Sequence, residues 1–315
     1  MKTAILIPCY NEAATIAKVV ADFRSAAPDA VVYVYDNNST DGSAQLARDA
    51  GATVVPEFRQ GKGFVVRSMF REVEADCYVM VDGDDTYPAD EALALCRLVE
   101  SGEADMVIGD RLSSTYFTEN TRQFHGFGNR LVRFLVNRIF RSDVHDIMSG
   151  CRAFSRSFVR SFPVLSSGFE IETEMTIHAL DRNFLIREVP IAYRDRGEGS
   201  ESKLSTVSDG LRVLSMIGAL FRDYRPLQFF LIIAILLFLA SFALFIVPLD
   251  EYLLTGFVHR VPTLVVSIAL GISAMLAFVS GIILESIRTH SRQFYELALT
   301  MIHELDARES RSDRT

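Results

Sequence analysis

The sequence contains no tryptophan, no GxGxxG and no phosphate-binding loop of the Walker type. Gly61-Lys62-Gly63 comes nearest to such a loop but lacks its spacing. These absences argue against a dinucleotide-binding fold and against a kinase-type NTPase. The four cysteines lie far apart and form no CxxC pair, which favours reduced thiols over a disulfide framework or a zinc site.

Length and charge set further limits. The 315 residues suffice for a substantial core and predict one or two domains. Acidic residues (40) outnumber lysine and arginine (32), so no nucleic-acid partner is expected. The sequence passes from Met1-Lys2 directly into a strand-like segment, so no signal peptide is expected.

Two long stretches lack charged residues altogether. They cover 21 positions at 227–247 and 24 positions at 261–284, and about 20 residues suffice for a helix to cross a bilayer. A buried helical hairpin is the alternative, but a chain of this size offers little protein to cover two helices that are apolar all round. The sequence therefore predicts two membrane spans and a lipid bilayer as a partner.

The charges that flank these spans predict their orientation. Arg222 and Arg225 precede the first span, and Arg288 and Arg292 follow the second. The connection between the spans carries only one Lys or Arg, Arg260. By the positive-inside rule, the N-terminal domain and both termini are expected in the cytoplasm.

Apolar residues recur at helical spacing on both sides of the two spans. The stripe before the first span consists of Val207, Leu211, Leu214, Ile217, Phe221 and Tyr224. The stripe after the second consists of Phe294, Leu297, Ala298, Met301, Ile302 and Leu305. We interpret both as packing surfaces for the bilayer, the soluble domain or another protomer, and they are compatible with a homo-oligomer.

The expected organisation has four parts. A soluble domain occupies 1–205, an amphipathic juxtamembrane helix 206–225, the two spans 226–285, and a cytosolic amphipathic tail 286–315.

Within residues 1 to about 110, short apolar runs alternate with helical patterns. The strand-like runs are Ala4–Ile7, Val31–Tyr35, Thr53–Val55, Cys77–Val81 and Met106–Ile108. The helical patterns are Ala14–Ala26, Ser43–Ala50 and Gly63–Glu74. This alternation predicts an α/β fold with a mainly parallel sheet covered by helices.

Polar clusters follow three of the predicted strands directly, at Pro8–Glu12, Asp36–Ser39 and Asp82–Asp85. Ligands bind beyond the carboxyl ends of parallel strands, so we expect the three clusters to meet at one edge of the sheet. The third cluster places three carboxylates within four positions, where they repel one another unless a cation lies between them. We prefer a Mg²⁺ or Mn²⁺ ion carrying a diphosphate as the interpretation; an acidic turn after a strand is the alternative.

An ordered set of motifs resembles the family 2 glycosyltransferases, which have the Rossmann-like GT-A fold. The first motifs are IPCYNEAATI from Ile7, YDNNSTDGS from Tyr35, GKG from Gly61 and DGDDTYP from Asp82. The later motifs are GDR from Gly109, DIMSGCR from Asp146, FEIETEM from Phe169 and VPIAYRDRGEGSESKLS from Val189. More narrowly, the chain looks like a dolichyl- or polyprenyl-phosphate sugar synthase of the bacterial type, which has two C-terminal spans. The resemblance covers roughly residues 3 to 206.

The resemblance implies a role for each matching residue. Those implied to hold the base and ribose of a nucleotide-sugar donor are Pro8, Tyr10, Glu12 and Asp36. Asp82 is implied to contact the nucleotide or the metal, Asp84 the metal, and Arg111 the phosphate of a polyprenyl-phosphate acceptor. The implied phosphate-clamping loop contains Arg196, Ser202 and Lys203. Asp146 matches a carboxylate proposed as a base.

Three residues depart from the family pattern. Thr86 stands where many relatives have Gln, which leaves the full set of metal ligands open. Asp85 replaces a residue that is often apolar, either as an extra ligand or as a solvated loop residue. Asn37 stands where the family often has a second acidic residue, with a bearing on nucleotide choice.

The implied reaction transfers a sugar, with inversion, from a nucleoside diphosphate to the phosphate of a polyprenol. Its transition state resembles an oxocarbenium ion, and negative charge grows on the departing diphosphate. A cation on Asp84, together with Arg196 and Lys203, is expected to stabilise that charge. UDP-linked donors are preferred over GDP-mannose by analogy with the bacterial branch.

Two site assignments stay open. The acceptor is already an anion at neutral pH, so Asp146 is either a base, a residue that orients an arginine or the acceptor, or a structural partner of Arg152. Among the acidic residues of the FEIETEM motif, Glu174 is expected to line the pocket, while Glu170 and Glu172 are expected to be solvated.

Two other classes of protein compete with this interpretation. A processive polysaccharide synthase of the same fold typically has a QxxRW element, which a chain without tryptophan lacks. A non-catalytic membrane-tethered module that binds a nucleotide sugar has no need of Asp82, Asp84, Arg196 and Lys203 together.

Overall fold

The structure is a computed structural model that describes residues 1–113, 123–166, 168, 170–194, 218–219 and 221–312, with main chain alone at 123–129 and 302–312. The strands are β1 (Thr3–Cys9), β2 (Val31–Asp36), β3 (Thr53–Pro56), β4 (Cys77–Met80), β5 (Met106–Asp110), β6 (Arg152–Ser155) and β7 (Ile186–Pro190). The helices up to residue 194 are α1 (Ile16–Ala26), α2 (Ser43–Asp49), α3 (Lys62–Glu72), α4 (Ala89–Glu100), α5 (Gln123–Phe140), α6 (Arg156–Ser161) and α7 (Ile171–Asp181). Two long helices follow, α8 (Pro226–Thr255) and α9 (Val261–Ser312).

The predicted mainly parallel sheet is confirmed. It has seven strands in the order β3-β2-β1-β4-β6-β5-β7. The pairs β1–β2, β2–β3, β1–β4 and β5–β7 are parallel, and β6 runs antiparallel to both β4 and β5. All five strands expected from the sequence are present. β6 and β7 lie in the later region, for which the sequence analysis named no strands.

The core lies where the apolar strand residues meet the apolar faces of the helices. Strand residues such as Ile5, Ile7 and Val79 are fully buried. On α1, Ile16, Val19, Val20 and Phe23 recur at helical spacing and are buried in the same cluster. Each such side chain contributes about 1.5–3 kcal/mol when it is removed from water.

Strand direction brings the polar motifs to one edge of the sheet. Cys9 pairs with Asp36 at the carboxyl ends of β1 and β2, and Leu6 pairs with Met80 near the end of β4. Because β6 is antiparallel, its first residue lies at this same edge, where Arg152 pairs with both Met80 and Ile108. The segment that precedes β6 therefore enters the fold beside the acidic motif.

The chain divides into two compact units, one of Met1–Asp209 with Leu299–Thr315 and the other of Gly210–Ala298. In the second unit, α8 and α9 are long and apolar enough to cross a membrane. Proline begins α8, and Gly256, at a positive φ of 74°, follows its end. The helices meet closely, because the Ser241 hydroxyl donates to the Ser267 carbonyl at 2.6 Å. The expected spans at 227–247 and 261–284 lie within α8 and α9, and α9 continues into the expected tail as far as Ser312.

Candidate active site

The loops that follow β1 and β2 are joined by hydrogen bonds. The amide of Asn37 donates to the Cys9 carbonyl at 2.9 Å. The amide of Glu12 donates to the Ser43 hydroxyl at 2.8 Å, and the amide of Thr40 donates to Asn11 Oδ1 at 2.9 Å. The two loops therefore form one rigid rim, with Pro8 buried and Tyr10 exposed beside it.

Asp36 has a carboxylate oxygen that the described residues leave unsatisfied. Oδ2 accepts a long hydrogen bond from the Ser39 amide at 3.3 Å, whereas Oδ1 is buried and accepts none from any described residue. Leaving a buried acceptor unpaired costs about 1–3 kcal/mol. A ligand that offers an N–H or O–H donor at this position removes that penalty.

Asn37 holds the loop between β3 and α3. Its buried side-chain amide donates to the carbonyls of Glu57 and Arg59 at 2.9 and 2.8 Å, and its Oδ1 accepts from the Gly61 amide at 2.7 Å. The Glu57 carboxylate is bound by Arg59 and by Ser68, which lower its pKa to about 2. The side-chain NH₂ group of Asn37 thus makes two hydrogen bonds that the carboxylate of an acidic residue at this position could not make.

The acidic motif begins immediately after β4. Asp84 is 6 % exposed, and its Oδ1 accepts a hydrogen bond from the Thr86 hydroxyl at 2.6 Å. Gly83 lies against Glu12: a Cβ on this glycine would stand 2.1 Å from Glu12 Oε2. Gly150 is close to Asp82 in the same way, with 2.3 Å from an added Cβ to Asp82 Oδ2. A side chain at either position would displace the neighbouring carboxylate.

The carboxylate of Asp85 is engaged by cationic side chains from other parts of the chain. Its backbone has a positive φ of 59°, and its carboxylate forms ion pairs with Lys18 at 2.7 Å and Arg194 at 3.4 Å. The Arg194 amide also donates to the Thr86 carbonyl at 2.9 Å. Asp85 therefore ties the acidic loop to α1 and to the chain that leaves β7.

Lys62 connects the acidic motif to α7. Its Nζ lies 2.5 Å from Asp82 Oδ1 and 2.5 Å from Glu172 Oε1, and its side chain is 10 % exposed. Burial by itself lowers the pKa of Lys62, but the two carboxylates outweigh it and raise the pKa above its usual value. The ammonium is therefore charged at neutral pH.

The expectation for the glutamates of α7 was wrong for Glu172. This residue is 5 % exposed and bound to Lys62, whereas we expected it to be solvated. Glu174 accepts hydrogen bonds from the amides of Leu165 and Ser166 and thereby caps a loop. Glu172 and Glu174 are two residues apart and therefore lie on different sides of the helix. The sequence alone does not show which side faces the edge of the sheet.

On the other half of the edge, Arg111 and Asp146 form a bidentate ion pair. Nε and Nη2 of Arg111 donate to the two carboxylate oxygens at 2.7 and 2.9 Å, and the Arg111 amide adds a bond of 3.2 Å. The guanidinium lies over the Tyr193 ring at 5.5 Å from its centroid. Burial opposes the charge of Arg111, but Tyr87 and Asp146 more than offset this effect and raise its pKa well above the usual value.

Asp146 is fully buried and is held from its other side by Glu188. The Glu188 carboxylate accepts from the amides of His145 and Asp146 at 2.8 and 3.0 Å. Arg152 is not the partner of Asp146, contrary to one of the alternatives from the sequence. It donates instead to the carbonyls of Ile147 and Ser149 and to the Thr176 hydroxyl.

Comparisons with known proteins identify the family of this chain. The sequence model for glycosyl transferase family 2 matches residues 4–162. The glycosyltransferase AglJ of Haloferax volcanii is 38 % identical over 227 residues, which are 72 % of this chain and 74 % of that protein. The chain belongs to glycosyl transferase family 2.

Two further similarities refine this assignment. The dolichyl-phosphate hexose transferase of Haloferax volcanii is 29 % identical over 210 residues, 67 % of this chain and 90 % of that protein. Glucosyl-3-phosphoglycerate synthase from Mycobacterium tuberculosis, solved with Mn²⁺, uridine diphosphate and glucosyl-3-phosphoglycerate, superposes with a TM-score of 0.54 at 25 % identity. That superposition covers 70 % of this chain and 78 % of the other. The catalytic unit of this family 2 glycosyltransferase therefore has the GT-A fold, as expected.

The residues after β4 fit a divalent cation. Among the described residues, no group of three or more His, Cys, Asp or Glu side chains is gathered for a metal. A cation of the Mg²⁺ type nevertheless needs only one or two carboxylates when substrate phosphates supply further ligands. Asp84 meets this requirement: it is a buried carboxylate that a neighbouring hydroxyl fixes in one orientation.

The structure brings together most of the expected site residues that it describes. Pro8, Tyr10, Glu12, Asp36, Asp82 and Asp84 follow β1, β2 and β4, while Arg111 and Asp146 lie beside β5 and β6. Arg196, Ser202 and Lys203 lie outside the described residues. Sequence reasoning missed Lys62 and Glu172 as site residues, although the GKG motif contained the first of them.

Proposed function

We propose that this enzyme transfers a sugar, with inversion, from a nucleoside diphosphate to polyprenyl phosphate. The arrangement of Arg111 carries the proposal, because a guanidinium that is 13 % exposed and held in one orientation at the edge of the sheet provides a site for a phosphate monoester. A dolichyl-phosphate hexose transferase among the relatives supports a lipid-phosphate acceptor. The two long apolar helices support an enzyme that meets such a lipid in the bilayer.

The donor is held by the rim formed after β1 and β2. The buried Oδ1 of Asp36 provides an acceptor for a ring N–H of the base. Uracil and guanine both have such a ring N–H, whereas N3 of cytosine carries no hydrogen. Pro8 and Tyr10 flank this position, and Lys62 adds a positive charge beside the acidic motif. We take uracil as the base, and a UDP-linked sugar as the donor.

Asp84 and Asp82 would hold a Mg²⁺ or Mn²⁺ ion together with the diphosphate of the donor. When bound, such a cation neutralises the negative charge of the departing diphosphate. Thr86 orients Asp84, and Lys62 orients Asp82, so both carboxylates are fixed before the donor arrives. Arg196 and Lys203, outside the described residues, remain our candidates for further positive charge at the phosphates.

Asp146 acts in this proposal as a positioning residue and not as a base. Both of its oxygens accept hydrogen bonds from Arg111, and it is fully buried. The acceptor phosphate is an anion at neutral pH and needs no strong base to become a nucleophile. Asp146 therefore fixes the guanidinium, and Glu188 fixes the turn that carries Asp146.

The orientation in the membrane belongs to the same proposal. Both ends of the chain and the catalytic unit lie in the cytoplasm, and the short connection between α8 and α9 lies outside. The domain limits of 1–205, 206–225, 226–285 and 286–315 and a homo-oligomer are part of this proposal as well.

The test uses the full chain in detergent with a short polyprenyl phosphate, Mg²⁺ or Mn²⁺, and a panel of UDP- and GDP-sugars. Release of the nucleoside diphosphate and formation of the lipid product are both measured, and NMR of the product reports inversion. We expect turnover with one UDP-sugar that requires both the metal and the lipid phosphate.

Three control reactions make the test decisive. The matching polyprenol without phosphate should give no product, and chelation of the metal should stop turnover. Phosphoglyceric acid serves as a soluble phosphate acceptor. Turnover with it but not with the lipid would refute the proposed acceptor, and donor binding without any transfer would favour the non-catalytic module.

A further inference from the structure

Helix α5 has one face packed in the fold and an opposite face that is exposed and basic. Val132 and Val136 are buried, and the helix packs against α7. On the other side, Phe134 is 64 % exposed, so a large apolar ring points away from the core. Arg138 and Arg141, the latter directly after the helix, are also exposed.

Three arginines at the exposed side of α5 are without ion-pair partners among the described residues. Residues 123–141 contain four arginines and neither Asp nor Glu, in a chain whose net charge is −8. Within the part of the chain that the structure describes, Arg133, Arg138 and Arg141 form no ion pair. At 3.6 residues per turn Phe134 and Arg138 lie on the side of the helix opposite Val132 and Val136. The half-buried Arg133 borders that side, and Arg141 directly follows the helix.

Other exposed arginines of the same unit have different surroundings. Arg48, Arg71 and Arg97 each lie near the end of a separate helix, α2, α3 or α4. Each of those helices also carries at least one acidic residue, so that no comparable patch of positive charge forms. The concentration of charge on α5 therefore is not a general property of this surface.

We propose that the face formed by Arg133, Phe134, Arg138 and Arg141, here called the α5 basic face, binds the anionic headgroups of a bilayer. Basic residues attract anionic lipids, and an aromatic ring between them inserts at the level of the headgroups. The inference rests on the membrane location within the proposed function, because α8 and α9 keep the catalytic unit close to a lipid surface. Contact through α5 would orient the acceptor-binding edge relative to the lipid phosphate.

The absence of tryptophan provides a direct test. In Phe134→Trp the new side chain is the sole tryptophan of the chain. The full-length variant is reconstituted into vesicles that contain anionic lipids, with and without brominated acyl chains, which quench tryptophan at short range. We expect a blue-shifted emission that brominated lipid quenches. Leu185→Trp, directly before the amino end of β7 and 54 % exposed, is the control that should not be quenched.

The charge requirement is tested in the Phe134→Trp background. Arg133→Gln, Arg138→Gln and Arg141→Gln together should reduce the lipid quenching of the introduced indole several-fold, as should zwitterionic vesicles or about 0.5 M salt. The matched variant Arg48→Gln, Arg71→Gln and Arg97→Gln removes the same charge elsewhere and should leave the quenching unchanged. Equal losses in both triple variants would overturn the proposal.

The remaining outcomes are separable from failure of the proposed function. Flotation with the vesicles after a carbonate wash shows whether the chain is integrated. If it is integrated and the indole of Phe134→Trp remains accessible to aqueous iodide without lipid quenching, the inference about α5 is wrong while the proposed function stands. If this indole is shielded from iodide but not quenched by lipid, a protein partner or a second copy covers α5, which also overturns the inference.

Discussion

Carboxylates on the two halves of the catalytic edge are held in different ways. At the ends of β1, β2 and β4, Asp36 keeps a buried oxygen that no described residue satisfies, and Asp84 is oriented by a hydroxyl. Beside β5 and β6, Asp146 has both oxygens engaged by Arg111. One half therefore presents carboxylates to a ligand, while the other uses a carboxylate to present a guanidinium.

The difference shows that residue type does not determine role. An acidic side chain whose oxygens are saturated inside the protein stabilises its partner cation and has nothing left for chemistry. An acidic side chain with an unsatisfied oxygen is costly until a ligand arrives. In the proposed function, this difference assigns Asp36 to binding of the donor and Asp146 to the positioning of Arg111 for the acceptor.

The largest expected effect is the loss of Asp84. Asp84→Ala should lower kcat/KM by about 10³-fold or more, because the charge of the leaving diphosphate is no longer neutralised. Initial rates of nucleoside diphosphate release across a Mn²⁺ titration measure this. Asp85→Ala is the matched control and should keep most of the activity. Near-normal turnover in Asp84→Ala would refute the metal assignment.

The second test separates a base from a positioning residue at Asp146. Arg111→Ala should reduce kcat/KM for the lipid phosphate by about 10- to 100-fold, as the loss of a charge-assisted contact predicts. Asp146→Asn should raise the KM for the lipid, and the double variant should be no worse than Arg111→Ala alone.

The pH profile provides the control for this pair. A positioning role predicts that Asp146→Asn lowers the rate by a similar factor from about pH 6 to about pH 9. Loss of an acidic limb from the kcat profile, with the KM for the lipid unchanged, would instead identify Asp146 as a base.

A smaller effect is expected at Lys62. Lys62→Met should reduce turnover about tenfold and leave the half-buried Asp82 and the buried Glu172 close together without a cation. Two ionised carboxylates without a cation between them repel each other, and this repulsion grows as the pH rises and both become charged, so the variant loses stability with increasing pH. The midpoint of thermal unfolding should therefore fall more at about pH 8 than at about pH 5.

The wild-type protein and Lys62→Arg are the references for this test. In the wild type the raised pKa of Lys62 keeps its contribution to stability intact through neutral pH, since that contribution is lost only as the pH rises through the raised value. An equal decrease at both pH values would show that the ion cluster is not what Lys62 maintains.

The smallest expected effect concerns Asn37. Asn37→Asp places a carboxylate against the carbonyls of Glu57 and Arg59, which need a donor. The KM for the donor should rise about fivefold, with an unchanged preference between UDP- and GDP-sugars. Asn37→Ala should have a similar effect. A change of nucleotide preference in Asn37→Asp alone would mean that this residue contacts the base.

Much of the catalytic fold could be predicted from the sequence because its signals are local. Apolar runs followed by polar residues predicted β1 to β5, and charge-free stretches predicted the helices that became α8 and α9. The limits of the helices were predicted less accurately. We expected the first helical pattern to begin at Ala14, but α1 begins at Ile16, whose amide donates to the Glu12 carbonyl in the first turn. The motifs predicted the donor side of the site, where each residue directly follows a strand.

The sequence did not predict which side chains pair when they are far apart in the chain. The partner of Asp146 is 35 residues away at Arg111, and the partner of Lys62 on α7 depends on how that helix docks. Asp84 and Asp85 are adjacent and of the same residue type, yet Asp85 pairs with Lys18 whereas Asp84 is oriented by Thr86. The sequence does not distinguish these two roles.

The sequence by itself predicted the first five strands, the first three helices, the two long apolar helices and the family, because these depend on neighbouring residues and their periodicity. The tertiary structure alone decided which carboxylates are engaged by a neighbouring arginine and which keep an oxygen that no described residue satisfies. It also placed Lys62 between Asp82 and Glu172 and left three arginines of the α5 basic face without ion-pair partners among the described residues. These properties depend on contacts between distant segments, which form only when strand order and helix packing bring the side chains together.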